Sequence, residues 1–266
     1  MQNTGSLFVV STPVGNLDDI TLRALAVLRT VDIIACEDTR QSLVLLRRYG
    51  IRKRLMSLHR YSDAERYAEL IGSLRQGMSV ALITDAGTPG IADPGAHLVD
   101  QALGSGIKVV PVPGPSALVC AVSVSGIEGQ GFVFIGYMPS TAGARERAIK
   151  KYCTLDMPVV FYESPRRLLG TMRSIRDAAG ESTALVFKEL TKVYEEVVRG
   201  SISEVIGRLE AGVIKGEYTV IVDCKGHGKD VGLSLYDRRS LVTAAASMTG
   251  LDKREVYKRL FRKSDR

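Results

Sequence analysis

The sequence has few of the residues that build metal sites or disulfides. Its 266 residues include three histidines and four cysteines, all widely separated along the chain. Three of the cysteines lie inside apolar runs, so we expect small buried side chains and not disulfide partners or thiolate ligands. Three scattered histidines are too few for a histidine-rich metal cage. The composition therefore predicts no metal site.

Several motifs of familiar enzyme classes are missing. The sequence has no Gly-x-x-x-x-Gly-Lys-Ser/Thr phosphate loop, no His-Glu-x-x-His, no Cys-x-x-Cys pair and no Gly-x-Ser-x-Gly. These absences argue against phosphate-loop nucleotide hydrolysis, zinc proteolysis and α/β-hydrolase chemistry. No apolar run reaches 18 residues, and the first residues lack the basic and apolar regions of a signal peptide. We therefore expect a cytoplasmic protein without a membrane span.

The excess of positive charge is concentrated near the C-terminus. The net charge is +7, and residues 227–266 alone contain ten Lys or Arg and five Asp or Glu. In a helix capped by Asp252, the side chains of Arg254, Lys258 and Arg262 would line one face at four-residue intervals. Such a face suits contacts to phosphates, which predicts a polyanionic partner. The alternative is a solvated basic tail without a partner.

Short β-branched runs alternate with amphipathic helical patterns along most of the chain. This alternation predicts an α/β fold with two domains, at residues 1–124 and 125–226, of which the second has a mixed sheet. A basic two-helix module is predicted at residues 233–266, after a polar, glycine-rich hinge. Between the predicted helix Ser42–Tyr49 and a helix around Tyr67, the pattern predicts no strand.

Three loops rich in glycine and proline each follow a predicted strand. They are STPVGN from Ser11, ITDAGTPGIADPG from Ile83 and PVPGPSA from Pro111. In open α/β folds, ligands bind beyond the carboxyl ends of the strands, where such loops lie. Glycine permits the close approach of a backbone or a ligand, and proline holds a loop in shape. The three loops predict one ligand-binding cleft, although each loop alone could be a turn-rich connection that binds nothing.

Seven segments, in a fixed order, resemble those of one known family. They are SLFVVSTPVGNLDDIT from Ser6, ACEDTR from Ala35, ITDAGTPGIADPG from Ile83, VPVPGPSA from Val110, FYESPRR from Phe161, FKELTK from Phe187 and GEYTVIV from Gly216. Together they resemble the tetrapyrrole methylase family, whose members use S-adenosylmethionine. Within that family, the chain is most similar to the branch that methylates the ribose 2′-hydroxyl of a cytidine in 16S ribosomal RNA. Gly87-Thr88-Pro89 replaces the Gly-Asp-Pro of cobalamin-pathway and diphthine enzymes, which makes porphyrin-like chemistry less expected here.

The resemblance implies a cofactor cleft between the two domains. The positions that match the family's cofactor contacts are Val14, Thr88, Ile91, Ala92, Ser116 and Ala117 in the three loops, with Tyr162 and Thr219 from the second domain. Small side chains and loop amides can hold a folded amino-acid tail, while Val14 and Ile91 supply apolar walls. The resemblance also implies S-adenosylmethionine as the cofactor, 16S ribosomal RNA or the small ribosomal subunit as the partner, and a homodimer.

Lys188 and Glu189 are the candidates for the reacting centre. A ribose hydroxyl is a very weak acid, so a lysine of lowered pKa or a carboxylate within hydrogen-bond reach could help to remove its proton. Side chains alternate along a strand, so only one of the two can reach the ribose unless the backbone turns there. We favour Lys188 for the reaction and Glu189 for fixing the loop. The alternative is a surface ion pair at a strand exit.

Arg40, Arg166 and Arg167 are the candidate contacts to an anionic substrate outside the tail. Arg40 ends the segment Glu-Asp-Thr-Arg after a predicted strand, where it could hold a phosphate or belong to a solvated turn. Two adjacent arginines at a helix start oppose the helix dipole, which favours an anionic ligand near Arg166 and Arg167.

Two other functions fit parts of the sequence. A small-molecule methyltransferase of the tetrapyrrole type would share the loops but would not need the basic tail. A non-catalytic RNA-binding protein would explain the basic tail but not three pre-shaped loops around one cleft. Binding of S-adenosylmethionine separates the RNA-binding protein from both kinds of enzyme.

Overall fold

The computed structural model describes residues 4–59, 63–93, 95–127, 131–224, 242–243, 246–247 and 250–256. The first part of the chain forms β1 (Ser6–Val10), α1 (Leu22–Thr30), β2 (Ile33–Cys36), α2 (Thr39–Arg48), β3 (Arg54–Ser57), α3 (Ala64–Arg75), β4 (Val80–Leu82), α4 (Ala96–Gly104), β5 (Lys108–Val112) and α5 (Ala117–Ser123). The second part forms β6 (Val133–Tyr137), α6 (Ala142–Cys153), β7 (Pro158–Glu163), α7 (Pro165–Ala179), β8 (Thr183–Lys188), β9 (Glu196–Ser201), α8 (Ile202–Ala211) and β10 (Tyr218–Asp223).

The first five strands form one parallel sheet. Their order is β3-β2-β4-β1-β5, and every neighbouring pair runs parallel. All residues of β2 and β4 are buried, which is typical of parallel strands covered on both faces. Because β1 lies between β4 and β5, the loops that follow these three strands leave the same sheet edge side by side. These are the three loops rich in glycine and proline.

The other five strands form a mixed sheet, as the sequence predicts. Their order is β6-β7-β10-β8-β9, in which β6 and β7 run parallel and the other pairs run antiparallel. Phe161 of β7 is fully buried in a cluster with apolar side chains from α6, α7 and α8. The two sheets with their helices confirm the prediction of two α/β domains.

Helix α5 covers the other face of the second sheet. Its residues Leu118 and Ala121 belong to one buried cluster with Phe187 and Ile221. The helix precedes the predicted boundary at residue 124, yet its apolar face is buried against the second sheet. Judged by its packing, α5 belongs with the second sheet, which puts the change of domain before α5. The boundaries at 1–124 and 125–226 stay predictions.

The cysteines are mainly core residues. Cys36 is buried in the first domain, and the thiols of Cys153 and Cys224 meet in the core of the second. This burial agrees with their predicted role as small apolar side chains. Among the described residues, no helix has the length and apolar character needed to cross a membrane. In the same part of the chain, no group of three or more His, Cys, Asp or Glu residues is arranged to hold a metal ion.

Candidate functional site

Hydrogen bonds join the three loops at the carboxyl edge of the first sheet. Thr12 and Gly87 exchange two backbone bonds of 2.8 and 3.1 Å. The Thr88 hydroxyl donates to the Pro115 carbonyl oxygen at 3.0 Å, and its oxygen lies 2.8 Å from the Ser11 hydroxyl oxygen. Thr88 therefore ties the loop after β4 to the loops after β1 and β5, and the three loops form one continuous rim.

Two glycines allow this close packing. Gly87 has a φ of +83°, a conformation that L side chains rarely adopt. A Cβ atom on Gly114 would lie 2.9 Å from the Cβ of Ser11, which is too close for the loops after β1 and β5 to keep their contact. Both positions therefore need glycine for the loops to meet.

One pocket lies between this rim and the second sheet, and we call it the interdomain pocket. It is lined by Val14, Ala86, Gly87, Thr88, Ile91, Ser116 and Ala117 from the first part of the chain, and by Tyr137, Tyr162, Glu163, Phe187, Leu190, Gly216, Glu217, Tyr218 and Thr219 from the second. Seven of the eight predicted cofactor positions are in this set. The exception is Ala92, which has a φ of +67° and is not part of the lining.

Tyr162 connects the second-domain side of the interdomain pocket to α5. Its hydroxyl oxygen accepts a hydrogen bond from the backbone N–H of Leu118 at 3.2 Å. Burial raises the pKa of the Tyr162 phenol, so it remains neutral at physiological pH. Phe134 and Tyr137 contact the Tyr162 ring edge to face, with ring centroids 5.0 and 5.7 Å away. The pocket therefore has an aromatic wall that is held in place from several sides.

Glu163 is a pocket residue that the sequence analysis missed. Its carboxylate is completely buried and accepts hydrogen bonds from Ser164 N at 2.8 Å, Thr171 Oγ1 at 2.7 Å and Arg167 Nη2 at 3.1 Å. Three donors compensate for the removal of this charge from water. The available signal was a carboxylate at the end of an otherwise apolar strand, in the segment FYESPRR.

The Arg167 side chain is partly buried, and its guanidinium forms hydrogen bonds within the protein. Besides Glu163, its Nη2 donates to the carbonyl oxygens of Met138 and Pro139 in the turn after β6. Arg166 is exposed in the first turn of α7. The structure therefore separates the two predicted substrate contacts. Arg166 is open to a ligand, whereas Arg167 braces Glu163 and the β6–α6 turn.

Lys188 and Glu189 also have different surroundings. Phe187 lines the interdomain pocket, so Lys188, the next residue of the same strand, has the opposite orientation. Lys188 Nζ lies 3.4 Å from both Glu196 Oε2 and the Val213 carbonyl oxygen. Lys188 is not among the lining residues, and its contacts match the alternative of an ion pair at a strand exit.

Glu189 fixes the turn after β8 against the loop before β10. Its Oε1 accepts hydrogen bonds from Lys192 Nζ at 2.9 Å and Glu217 N at 2.8 Å. Burial opposes ionisation, but these donors outweigh it and leave the pKa of Glu189 below its usual value. A Cβ atom on Gly216 would lie 2.4 Å from this carboxylate oxygen, so the contact also requires a glycine there. These contacts match the loop-fixing role predicted for Glu189.

Two residues of the same turn have a left-handed backbone conformation, which indicates local strain. Glu189 has a φ of +52° and Thr191 a φ of +65°. Such conformations are costly for residues other than glycine and persist only where surrounding contacts enforce them. Leu190, which lies between them, lines the interdomain pocket. The strain therefore belongs to the segment that shapes the second-domain side of the pocket.

Arg40 lies in a charged cluster beside the loop after β4. Asp38 caps α2, and Arg40 donates to both of its carboxylate oxygens, with the shortest distance at 2.7 Å. The hydrogen bond from the Arg40 side chain lowers the pKa of Asp38 to about 2. Asp85 accepts a bond from the backbone N–H of Asp38, and burial raises its pKa. Arg40 itself is exposed, is not part of the pocket lining, and its predicted substrate role stays a prediction.

The basic tail is described only in part. Asp252 Oδ1 accepts a hydrogen bond from Arg254 N at 2.8 Å, so Asp252 caps a helix as predicted. Arg254 is exposed and Val256 is buried. Lys258 and Arg262, together with most of the predicted module at residues 233–266, lie outside the described residues.

The charges of the interdomain pocket are of one sign. Its described lining contains the carboxylates of Glu163 and Glu217 and no lysine, arginine or histidine side chain. Lys192 lies behind this lining and pairs with Glu217 at 2.9 Å. The remaining surface is built from small, apolar and aromatic residues. Glu163 is already paired with Arg167, so the carboxylate that a ligand can reach is that of Glu217, and the pocket suits a largely apolar organic ligand more than a multiply charged anion.

Comparison with known proteins places the chain among methyltransferases. Residues 6–206 match the family model described as Tetrapyrrole (Corrin/Porphyrin) Methylases. A protein of Thermotoga maritima named ribosomal RNA small subunit methyltransferase I is 44% identical over 83% of this chain and 99% of its own length. A protein of Mesorhizobium japonicum with the same name is 41% identical over 98% of this chain and 92% of its own.

A solved structure has a similar fold at low sequence identity. It is a uroporphyrin-III C-methyl transferase of Thermus thermophilus complexed with S-adenyl homocysteine. It is 17% identical, with a TM-score of 0.60 over 83% of this chain and 98% of its own. The three loops, the mixed second sheet and the long match to the family model lead to one conclusion: the chain belongs to the tetrapyrrole methylase family.

Proposed function

We propose that this protein transfers a methyl group from S-adenosylmethionine to the ribose 2′-hydroxyl of a cytidine in 16S ribosomal RNA. The relatives named ribosomal RNA small subunit methyltransferase I support an enzyme of ribosomal RNA, since they match most of the chain at 38 to 45% identity. The nucleotide and the 2′-oxygen rest on the resemblance of the seven sequence segments.

The interdomain pocket is the observation that carries this proposal. S-Adenosylmethionine has a sulfonium cation, an amino-acid tail that ends in a carboxylate, and an adenine ring. The pocket offers the exposed carboxylate of Glu217, apolar walls from Val14 and Leu190, and the aromatic Tyr162. Its first-domain side is made of loop backbone, which can donate to a carboxylate or to adenine. The Thermus thermophilus structure, which contains S-adenyl homocysteine, supports the same class of ligand.

The chemistry needs alignment more than activation. When bound, S-adenosylmethionine supplies a methyl carbon that is already activated, so that the ribose oxygen forms a bond to carbon while the carbon–sulfur bond breaks. The loops tied by Thr88 hold one side of the pocket, and the turn fixed by Glu189 holds the other. Val14 and Leu190 supply apolar surface that would help to exclude water once the cofactor is bound. The hydroxyl proton leaves to a nearby acceptor or to solvent.

The partner and the assembly follow from the same proposal. The exposed Arg254, with Lys258 and Arg262, would contact RNA phosphates, and the exposed Arg40 and Arg166 would contact further phosphates. The substrate is the 16S RNA or the small subunit that contains it, which implies action in the cytoplasm. A homodimer would enlarge the surface available to a folded RNA.

The test is methylation of defined substrates by the purified protein. Small ribosomal subunits from cells that lack the protein are incubated with S-adenosylmethionine, and 2′-O-methylation is mapped along the RNA. We expect one modified cytidine. A parallel reaction contains uroporphyrinogen III. Methylation of the tetrapyrrole with unmodified RNA would replace our proposal by the small-molecule alternative, and binding of RNA without any transfer would support a non-catalytic protein.

A further inference from the structure

Tyr137 is an exposed aromatic residue at the interdomain pocket. It lines the pocket, yet 57% of its surface remains accessible. Tyr162 lies deeper and is only partly exposed. Because Tyr137 belongs to the pocket lining and stays accessible, its ring can contact a ligand that enters the pocket. Neither the proposed cofactor positions nor the proposed phosphate contacts include Tyr137.

A β-bulge directs Tyr137 into the pocket. Near the start of β6, Phe134 is paired with Val160, so regular pairing would place Gly136 opposite Tyr162. The register shifts by one residue, and Tyr137 is opposite Tyr162 instead. A shift of one residue moves a side chain to the other face of the sheet. Gly136, with a φ of +66°, supplies the backbone conformation at this irregularity.

Contacts behind Tyr137 hold its ring in place. Its ring meets Tyr162 edge to face at an interplanar angle of 65°. Phe134 supports Tyr162 from another direction, and the Leu118 amide holds the Tyr162 hydroxyl. Burial and the charges of Glu217 and Glu163 raise the pKa of the Tyr137 phenol, so the ring is neutral at physiological pH. Tyr137 thus combines a fixed position, a neutral ring and an accessible surface.

We propose that Tyr137 is the platform on which the base of the target nucleotide stacks. This inference rests on the proposed function, because a ribose hydroxyl reaches the pocket only if its nucleotide leaves the stack of neighbouring bases. Enzymes that modify nucleotides recover part of this cost by stacking the displaced base on an aromatic side chain. Tyr137 is at the pocket mouth, where the base would lie while the ribose enters. Stacking accepts any base, so Tyr137 contributes affinity and orientation, and not the choice of cytidine.

Substitutions at Tyr137 separate stacking from other roles. Steady-state methylation of small subunits is measured with Tyr137→Phe and Tyr137→Leu, and binding of S-adenosylmethionine is measured by calorimetry. We expect Tyr137→Leu to raise the KM for subunits about tenfold or more, the range found for loss of base stacking. Tyr137→Phe keeps the ring and should stay near wild type. The cofactor affinity of both variants should remain within a few-fold of wild type.

Phe132→Leu is the matched control. Phe132 is a partly exposed aromatic residue that precedes β6, and it lines a different cavity with Val122 and Ile221. Its loss should leave the KM for subunits unchanged. Equal kinetics for Tyr137→Leu and wild type would overturn the proposal. So would an equal defect in Tyr137→Phe, which would indicate a role of the hydroxyl, or a defect confined to cofactor binding.

A fluorescence measurement reports the contact directly. The sequence contains no tryptophan, so Tyr137→Trp introduces a single reporter. We expect RNA with a cytidine at the target position to quench this tryptophan more than the same RNA with an abasic ribose there, while Phe132→Trp responds equally to both. An equal response of Trp at position 137 to both RNAs would contradict stacking. Failure of the proposed function would look different, since wild-type protein would then leave the subunit RNA unmethylated.

Discussion

The backbone N–H of Asn16 donates a hydrogen bond of 3.1 Å to the hydroxyl of Thr191. This bond joins the loop after β1 to the turn after β8, and therefore the first domain to the second. Val14 and Leu190, which flank the contact, both line the interdomain pocket. The width of the pocket consequently depends on how closely these two segments approach.

Gly15 should be essential for this approach. A Cβ atom there would lie 2.3 Å from Lys192 Cγ and 2.8 Å from the Leu190 carbonyl oxygen. Gly15→Val should push the two segments apart and weaken S-adenosylmethionine binding about tenfold or more, as expected for an overpacked contact. Calorimetry measures the affinity, and circular dichroism checks that the protein is folded.

Gly72→Ala is the control for Gly15→Val. Gly72 is in α3, and nothing lies within 4 Å of the position of an added Cβ. Alanine is also the better helix former, so this variant should bind the cofactor normally and unfold at a slightly higher temperature. Wild-type affinity of a folded Gly15→Val protein would show that the contact does not set the width of the pocket.

Thr88→Arg and Ala117→Trp should each abolish cofactor binding. Both positions line the interdomain pocket, where a large side chain would occupy the space of the ligand. Ala26→Trp provides the comparison, because Ala26 is exposed on α1 and is not part of the pocket. Isothermal titration with S-adenosylmethionine should detect binding for wild type and Ala26→Trp alone. Unchanged affinity in folded Ala117→Trp would remove the cofactor from this pocket.

Substitutions of Lys188 and Glu189 should affect different steps of the reaction. Lys188 would have to leave Glu196 and reverse its orientation to reach the pocket, so we expect Lys188→Ala to keep the methylation rate within about threefold, as for an ion pair outside the site. Glu189→Gln weakens the bonds that hold the Gly216 loop and should raise the Kd for S-adenosylmethionine about tenfold. Single-turnover rates at saturating cofactor separate the two effects. A hundredfold loss of rate in Lys188→Ala, with cofactor binding intact, would restore Lys188 as the proton acceptor.

The parts of the site that could be predicted are those whose residue types, within a few positions of a strand, already indicate their location. Glycine and proline after an apolar strand identify a loop at a sheet edge, which is why Thr88 and Ser116 could be placed in one cleft. The local signal for Glu163 is weak, a carboxylate at the end of an apolar strand, because its burial depends on donors from α7. Tyr137 depends on a one-residue bulge that alters the regular alternation of β6. Strand alternation did indicate that Lys188 and Glu189 would not share one role.

Two features of the fold, a short edge strand and the start of a helix, differ from the prediction from sequence. The sequence analysis missed β3, because this edge strand of four residues contains a single fully buried side chain, Met56. Helix α2 begins at Thr39 and not at the predicted Ser42, because the Asp38 side chain accepts from Arg40 N and starts the helix earlier. For the charged segment before Ser42, a solvated turn was one of two open alternatives, since capping and a solvated turn use the same residue types.

The basic tail should set the affinity for RNA without affecting the cofactor. The predicted tail follows β10, the last strand of the second sheet, in the sequence. Replacement of Arg254, Lys258 and Arg262 by Ser should weaken RNA binding and lower the slope of log affinity against log salt by about one for each lost phosphate contact. Filter binding over a series of salt concentrations measures this slope, and calorimetry should give an unchanged Kd for S-adenosylmethionine.

A matched triple substitution tests whether the location of the charge matters. Arg29, Arg75 and Lys108 are exposed residues in the last turns of α1 and α3 and at the start of β5. They lie at the amino edge of the first sheet, away from the interdomain pocket, and their replacement by Ser removes the same charge as the tail variant. Only the tail variant should lower the salt slope, because counterions are released where phosphates are contacted. Equal slopes for both variants would mean that the tail attracts RNA through net charge and makes no specific phosphate contacts.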